Sequence, residues 1–158
     1  MTRAYVALGA NLGDPVAAVQ AAFDALAALP RTTLAARSSL YRTAPVGLAA
    51  QPDFINAAAA LDTECSPLDL LAALLAVEAS AGRLRRERNG PRSLDLDLLL
   101  HGDTVLATPA LTLPHPRLHL RAFVLAPLGE IAPDLVLPGR GSVAAWLPAV
   151  ALQNIERL

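Results

Sequence analysis

Apolar positions recur along the chain with two different periods, and each change of period marks an element. Ala4-Tyr5-Val6-Ala7-Leu8-Gly9 is a nearly unbroken apolar run that ends in the turn-prone Asn11-Leu12-Gly13-Asp14, predicting a first strand over 4–9. Asp14 then offers an N-cap and Pro15 a first helical position, and Val16, Val19, Phe23, Leu26 and Leu29 follow at helical spacing until Pro30. Thr32 to Thr43, rich in β-branched and hydroxyl side chains, predicts a second strand. Two prolines and a glycine make 44–53 a loop, after which Phe54 to Leu61 predicts a third strand. Ser66 and Pro67 open a second helix whose face is traced by Leu68, Leu71, Leu74, Leu75 and Glu78, with Gly82 as its stop. The strand-like Leu94-Asp95-Leu96-Asp97-Leu98-Leu99-Leu100 closes on the turn His101-Gly102-Asp103.

Strand, helix, strand, strand, helix, strand is the order of a ferredoxin-like α+β sandwich, with helices covering one face of a sheet. The second half adds to that frame. Residues 105–113 predict a further strand, Arg121 to Ile131 a helix interrupted by Pro127, and Ser142 to Leu147 a short capped helix. At 158 residues, with no internal repeat or low-complexity run, one domain over 1–158 is expected.

Composition narrows the chemistry. Hydrophobic residues make up 54% of the chain and charged ones 17%, enough apolar material for an ordinary core and too much for a disordered chain. The net charge is −1, which argues against binding nucleic acid through overall charge. All 13 basic residues are arginine, so a Walker lysine or a Schiff-base lysine is excluded, and phosphate must be held by arginine or backbone. Cys65 is the one cysteine, too few for an internal disulfide or a thiolate zinc site, and a reducing compartment, the cytoplasm, is expected. The N-terminal residues show no signal-peptide core, and no run approaches the ~18 apolar residues of a membrane span.

Near-neutrality hides local asymmetry. Arg83, Arg85, Arg86, Arg88 and Arg92 lie within ten residues opposed only by Glu87, and Gly82, Gly90 and Pro91 bracket them as a loop. Just beyond, Asp95 and Asp97 are two apart on a predicted strand, so their carboxylates project from one face about 7 Å apart. Such a pair is either a solvated strand face or an oxygen-only site for Mg²⁺ completed by waters and substrate phosphates. An arginine loop beside it is what phosphoryl transfer requires, since catalysis there is mostly positioning and charge stabilisation; a solvated basic loop or an RNA contact is the alternative. His115, between Pro114 and Pro116, fits a rigid turn beside a phosphate or a structural turn, and the prolines spoil a helical zinc pair with His119. Asn56 shares a strand face with Phe54, and edge recognition plus stacking is how flat polar rings are held; bonding to a neighbouring loop is the other reading. Gly9-Ala10-Asn11-Leu12-Gly13 lacks the spacing of known phosphate loops and reads as turn chemistry.

Taken together, Gly9 to Gly13, Tyr41-Arg42-Thr43-Ala44-Pro45-Val46-Gly47, Gln51-Pro52-Asp53-Phe54-Ile55-Asn56, Gly90-Pro91-Arg92-Ser93-Leu94-Asp95-Leu96-Asp97 and Leu113-Pro114-His115-Pro116-Arg117 resemble the 6-hydroxymethyl-7,8-dihydropterin pyrophosphokinase family over nearly the whole chain. The resemblance implies transfer of the terminal diphosphate of ATP to the pterin hydroxymethyl oxygen, with AMP released and folate synthesis served. It implies that Asp95 and Asp97 hold two Mg²⁺ ions and that Arg83, Arg85, Arg88 and Arg92 form a catalytic loop, Arg83 and Arg92 stabilising charge. By the same resemblance His115 and Arg121 touch ATP phosphates, and Leu71, Leu98 and Thr112 match the adenine site. Glu78 matches an acidic position that orients an arginine or the nucleotide, a buried ion pair being the equal alternative. Phe54 and Phe123 would sandwich the pterin, Asn56 would read its edge, and Thr43, Pro45 and Val46 would line its pocket. ATP and a reduced pterin are then the partners, with no nucleic acid or membrane involved, and a monomer is the starting expectation.

The chain departs from the family pattern in an arginine loop shortened by one residue relative to some members, in Asn89 where an aromatic is frequent, and in Leu75 and Ala110 at places often polar or basic. Two other functions fit parts of the pattern. A ferredoxin-like RNA-binding module would need paired exposed aromatics, and the chain has six aromatics in all with no such pair on a central strand. A different Asp-x-Asp nucleotidyltransferase would release pyrophosphate in place of AMP.

Overall fold

In the computed structural model, which describes residues 1–44, 51–81 and 93–158, ten strands and four α-helices are present among those residues. The first strand, β1 (Thr2–Ala10), runs one residue past Gly9, so Gly9 belongs to the strand and the turn falls at Gly13, whose φ of 63° suits a residue without a Cβ. Helix α1 (Pro15–Ala27) starts as its sequence dictates, with the Asp14 carboxylate accepting the Ala17 N–H at 3.1 Å.

The predicted strand over 32–43 is two strands, β2 (Thr32–Arg37) and β3 (Tyr41–Thr43). Hydroxyl chemistry breaks it: the Ser38 hydroxyl accepts the Ala58 N–H at 2.8 Å in place of a backbone carbonyl, and the Ser39 N–H turns away to Glu130. β2 and β3 pair antiparallel with different stretches of β4 (Phe54–Thr63). Helix α2 (Pro67–Ser80) is capped by Ser66 at Asp69 N. Its buried stripe is Leu70, Leu74 and Glu78, four apart: Leu74 and Glu78 fall on the predicted face, Leu70 replaces its other members, and Leu68 and Leu75 are about half exposed. Five leucines between 68 and 75 leave the phase of the helix open in sequence, and packing selects it.

Strand β5 (Asp95–His101) completes the main sheet, whose order is β10-β3-β4-β1-β5 with β2 beside β4, every pair antiparallel. The predicted strand over 105–113 is instead a small hairpin, β6 (Leu106–Ala107) and β7 (Thr112–Leu113), because Thr108 turns the chain by bonding Leu111 through both backbone and hydroxyl. Helix α3 (Ala122–Ile131) keeps Pro127 inside it, and that proline supplies no N–H for the Phe123 carbonyl. Two elements are absent from the sequence reading. One is the hairpin of β8 (Val136–Leu137) and β9 (Gly141–Ser142), which leads into the one-turn helix α4 (Val143–Trp146); the other is β10 (Ile155–Arg157), which pairs with β3.

Helices cover both faces of the sheet, where one face was expected. Val6, Leu8, Ile55, Leu61, Leu96 and Leu98 pack with Phe23, Leu26, Leu70 and Leu74 under α1 and α2. Tyr5, Ala60, Leu99 and Leu100 pack on the opposite side with Leu118, Leu125, Leu128 and Val143 from the C-terminal segments. Leu98, Leu99 and Leu100 serve both sides because the β1/β5 register shifts between Tyr5 and Val6, leaving Leu99 as an extra residue. No helix among the described residues is long and apolar enough to cross a membrane. Pro45, Val46, Gly82, Arg83, Arg85, Arg88, Asn89 and Arg92 lie outside the described residues.

Candidate functional site

The pleat sorts β5 cleanly: Leu94, Leu96 and Leu98 enter the α1/α2 core, so Asp95 and Asp97 face the side covered by α3. Register then sets their neighbours. Asp95 lies across from Gly9, Gly9 from Asn56, and Asn56 from Tyr41; in the next row Asp97 faces Ala7, which faces Ala58. A carboxylate edge and an amide thus flank a floor of glycine and alanine, with two strand spacings, about 10 Å, between Asp95 and Asn56. A Cβ on Gly9 would come within 3.0 Å of Asn56 Oδ1, so the missing side chain is what keeps the floor open. The sequence places Gly9 both at the end of the first strand and in the turn-like segment Gly9 to Gly13; the strand placement holds, and a glycine inside an apolar strand is the signal for a close approach.

Asn56 is buried, and its Nδ2 donates to Thr43 Oγ1 at 2.7 Å across the β3–β4 pair. Phe54 begins β4 on the same face as Asn56, and Phe123 occupies the first turn of α3 on that side of the sheet, with the Arg121 guanidinium 5.2 Å from its ring centre. At the loop end of β1, Asn11 Nδ2 donates to Gln51 Oε1 and to the Pro52 carbonyl, both at 2.9 Å, tying the strand to the segment that enters β4.

A groove of about 270 Å³ runs along the outer edge of β5. Leu71 and Leu75 of α2, Leu98, and Leu111 and Thr112 beside β7 form its walls, and Asp97 and His115 its polar end. Leu71, Leu98 and Thr112, matched by resemblance to an adenine site, and His115, matched to a phosphate contact, therefore meet in one concavity with Asp97. Leu71 packs partly on the core as well as on the groove, whereas Leu75 is pocket wall alone, which accounts for its exposure. Glu78 does not line the groove: it is buried, and its Oε2 accepts the Leu96 N–H at 2.7 Å, holding the outer edge of β5 between the two aspartates.

His115 is fixed from several directions. Its N–H donates to the Leu99 carbonyl at 2.9 Å, and its Nδ1 accepts the Arg117 N–H at 3.2 Å, which assigns the ring proton to Nε2. Burial, then the charges of Arg121, Arg117 and Arg140, hold its pKa down at about 4 against a partial counter-effect from Asp95. A neutral imidazole donor beside three arginines and a carboxylate pair suits an oligophosphate. The donor set of Asp95 and Asp97 is all oxygen, and no cluster of three or more His, Cys, Asp or Glu occurs among the described residues, so a cation held here would draw its remaining ligands from water or substrate. That fits Mg²⁺ and not zinc. Arg140 is a further residue here that the sequence reading missed; the turn Gly139-Arg140-Gly141 was its only local sign.

A family model described as 7,8-dihydro-6-hydroxymethylpterin-pyrophosphokinase (HPPK) matches residues 5–133. The chain is 52% identical over 156 residues to a 2-amino-4-hydroxy-6-hydroxymethyldihydropteridine pyrophosphokinase of Pseudomonas aeruginosa, covering 99% of this chain and 96% of that one. The relative of the same name from Haemophilus influenzae is 49% identical over 138 residues, 87% of this chain and 86% of its own. Among solved structures, an HPPK-DHPS in complex with substrates superposes with a TM-score of 0.75 at 12% identity, over 99% of this chain and 47% of the other. The Plasmodium falciparum HPPK-DHPS with pteroate superposes at 0.74 and 12% identity, over 94% of this chain and 42% of its own. At that identity the superpositions speak for the fold, and the chain spans just under half of each fusion protein.

Proposed function

The chain belongs to the 7,8-dihydro-6-hydroxymethylpterin-pyrophosphokinase family, and on that premise we propose how its own residues move a diphosphate from ATP to 6-hydroxymethyl-7,8-dihydropterin in folate biosynthesis. The observation that carries the reading is the row Asp95–Gly9–Asn56 beside the groove that ends at Asp97 and His115. One side of the carboxylate pair offers a flat, glycine-floored surface bounded by an amide; the other offers an apolar slot with a phosphate-compatible end. The two substrates of a bimolecular transfer would lie one on each side, with their reacting atoms at the aspartates.

Phe54 and Phe123 would stack on the pterin faces while Asn56, its Nδ2 committed to Thr43, presents Oδ1 to an N–H on the ring edge. By the family resemblance Thr43, Pro45 and Val46 would line that pocket. Leu71, Leu98 and Thr112 would hold the adenine, and His115 Nε2–H and Arg121 would bind phosphate oxygens. The hydroxymethyl oxygen attacks the β-phosphorus; the new O–Pβ bond forms as the bond from Pβ to the α,β-bridging oxygen breaks, AMP leaves with that oxygen, and the hydroxyl proton passes to solvent. Asp95 and Asp97 would hold Mg²⁺, two ions by the family resemblance, which when bound polarises the phosphoryl oxygens. Arg83, Arg85, Arg88 and Arg92 supply the positive charge that the carboxylates do not. Glu78 acts through the β5 edge and not on the nucleotide.

The strand order supports a ferredoxin-like reading of the frame, with α3, α4 and β10 added to it, as one pyrophosphokinase domain over 1–158. The free, buried Cys65 fits a reducing cytoplasm. Incubation with Mg²⁺, ATP and 6-hydroxymethyl-7,8-dihydropterin is expected to yield AMP and pterin diphosphate in equal amounts by chromatography, with no AMP when the pterin is omitted. ADP in place of AMP would overturn the β-attack, and turnover by a folded Asp97→Ala protein would overturn the metal assignment.

A further inference from the structure

Arg140 lies beyond residues 5–133, the span that the family model describes, yet it hydrogen-bonds His115, which forms the polar end of the groove. Its placement follows from the β8–β9 hairpin. Gly139 and Gly141 take φ values of 73° and 84°, the left-handed region that glycine enters without a Cβ clash, and the Arg140 N–H closes the turn on the Leu137 carbonyl at 3.0 Å. Leu137 and Val143 on either side of the turn are buried in the α3 core, and Trp146 Nε1 donates to the Arg140 carbonyl at 2.8 Å. The hairpin is a rigid mount for one side chain.

That side chain grips the His115 turn at two points. NH1 donates to the His115 carbonyl at 2.6 Å and lies 3.1 Å from His119 Nδ1, while the His119 ring meets Trp146 edge-on with centres 4.7 Å apart. The Leu118 N–H shares the same His115 carbonyl at a looser 3.3 Å, so the guanidinium makes the shorter contact. With its N–H on Leu99, its Nδ1 on Arg117 N and its carbonyl on Arg140, His115 has three of its polar groups fixed, and Nε2–H is the group left to meet a ligand.

We infer that Arg140 is a positioning residue for nucleotide binding, holding the His115 turn so that the Nε2–H stays directed to the phosphate end of the groove. The inference rests on the proposed contact between His115 and ATP. It assigns a role in ATP affinity to a segment outside the matched family span, carried by a cation that does not touch the nucleotide.

The test compares Arg140→Met, Arg140→Lys, His115→Ala and the Arg140→Met/His115→Ala double variant in steady-state assays with ATP and pterin varied separately. Arg140→Met is expected to raise KM for ATP about fivefold to tenfold, the loss of one charge-assisted hydrogen bond, with KM for pterin and kcat within about twofold of wild type. Arg140→Lys keeps the charge and the donors but loses the planar, pre-organised guanidinium that spans both acceptors, and an intermediate KM is expected. The double variant is expected to match His115→Ala, because the arginine acts only through the imidazole. If His115→Ala leaves KM for ATP unchanged, the proposed site itself fails and this inference falls with it. If His115→Ala raises KM while both folded Arg140 variants keep the wild-type value, Arg140 is a hairpin staple, and if the two effects multiply it acts on ATP affinity independently of His115; either result overturns the inference alone. Should the Met variant fail to fold, the Lys variant decides by the same comparison.

Discussion

Gly9 and His115 are single residues whose environments dictate measurable behaviour. Gly9→Ala puts a Cβ 3.0 Å from Asn56 Oδ1, so the Asn56 amide, bonded to Thr43, must give by a few tenths of an ångström. Overpacking of this kind costs about 1–3 kcal/mol, and the expected outcome is a raised KM for pterin with little change for ATP, read from steady-state kinetics. His115 titrates near 4 in the folded chain against an ordinary 6.5, so the unfolded chain binds the proton first as pH falls. Its contribution to stability is therefore complete above about pH 6.5 and is lost between there and 4. Urea midpoints at pH 7 and pH 5 should differ more for the wild type than for His115→Gln, and an NMR titration of the ring should show no charging at pH 6. Period-two spacing made the shared face of Asp95 and Asp97 legible in sequence, and with it Asn56 beside Phe54. Arg140 was not legible, because a contact spanning 25 residues through a tight hairpin leaves no periodic trace.

At the scale of elements, β5 is an edge strand with no neighbouring strand on its outer side among the described residues, and Glu78 supplies one acceptor from α2. Glu78→Leu removes that acceptor from a buried site, a loss of about 1–3 kcal/mol that should appear in chemical denaturation. It should also raise the Mg²⁺ concentration needed for half-maximal activity, since the released N–H belongs to the residue between the aspartates. An unchanged Mg²⁺ requirement would separate Glu78 from the carboxylates. Glu130 plays a comparable part on the other side: its carboxylate accepts from Tyr41 Oη and from Ser39, joining α3 to the start of β3, and these bonds outweigh burial to hold it below the usual range while Tyr41 is pushed up to about 12. Capped helices announced themselves through Asp14-Pro15, Ser66-Pro67 and Ser142. The two- and three-residue strands did not, because segments that short carry no period and exist only through their partners.

Across the whole molecule, the two hydrophobic clusters share one sheet, and β4 passes alternate alanines to each: Ala59 to the α1/α2 side, Ala60 to the α3 side. Ala59→Leu and Ala60→Leu are each expected to lower stability by about 1–3 kcal/mol within a single transition. Far-UV circular dichroism and the fluorescence of Trp146, the one tryptophan, should report the same midpoint in both variants. Separate midpoints would show the C-terminal layer melting on its own. The extra residue at Leu99 governs how these layers meet the site. In unbroken alternation, Leu100 would turn toward α1 and α2 and His101 would lie beneath α3, an imidazole in place of a leucine. Slipping one beat in a two-beat rhythm lets a seven-residue strand show a wet half and a dry half on the same side, so that the carboxylate edge and the wall that anchors it are cut from one piece of chain.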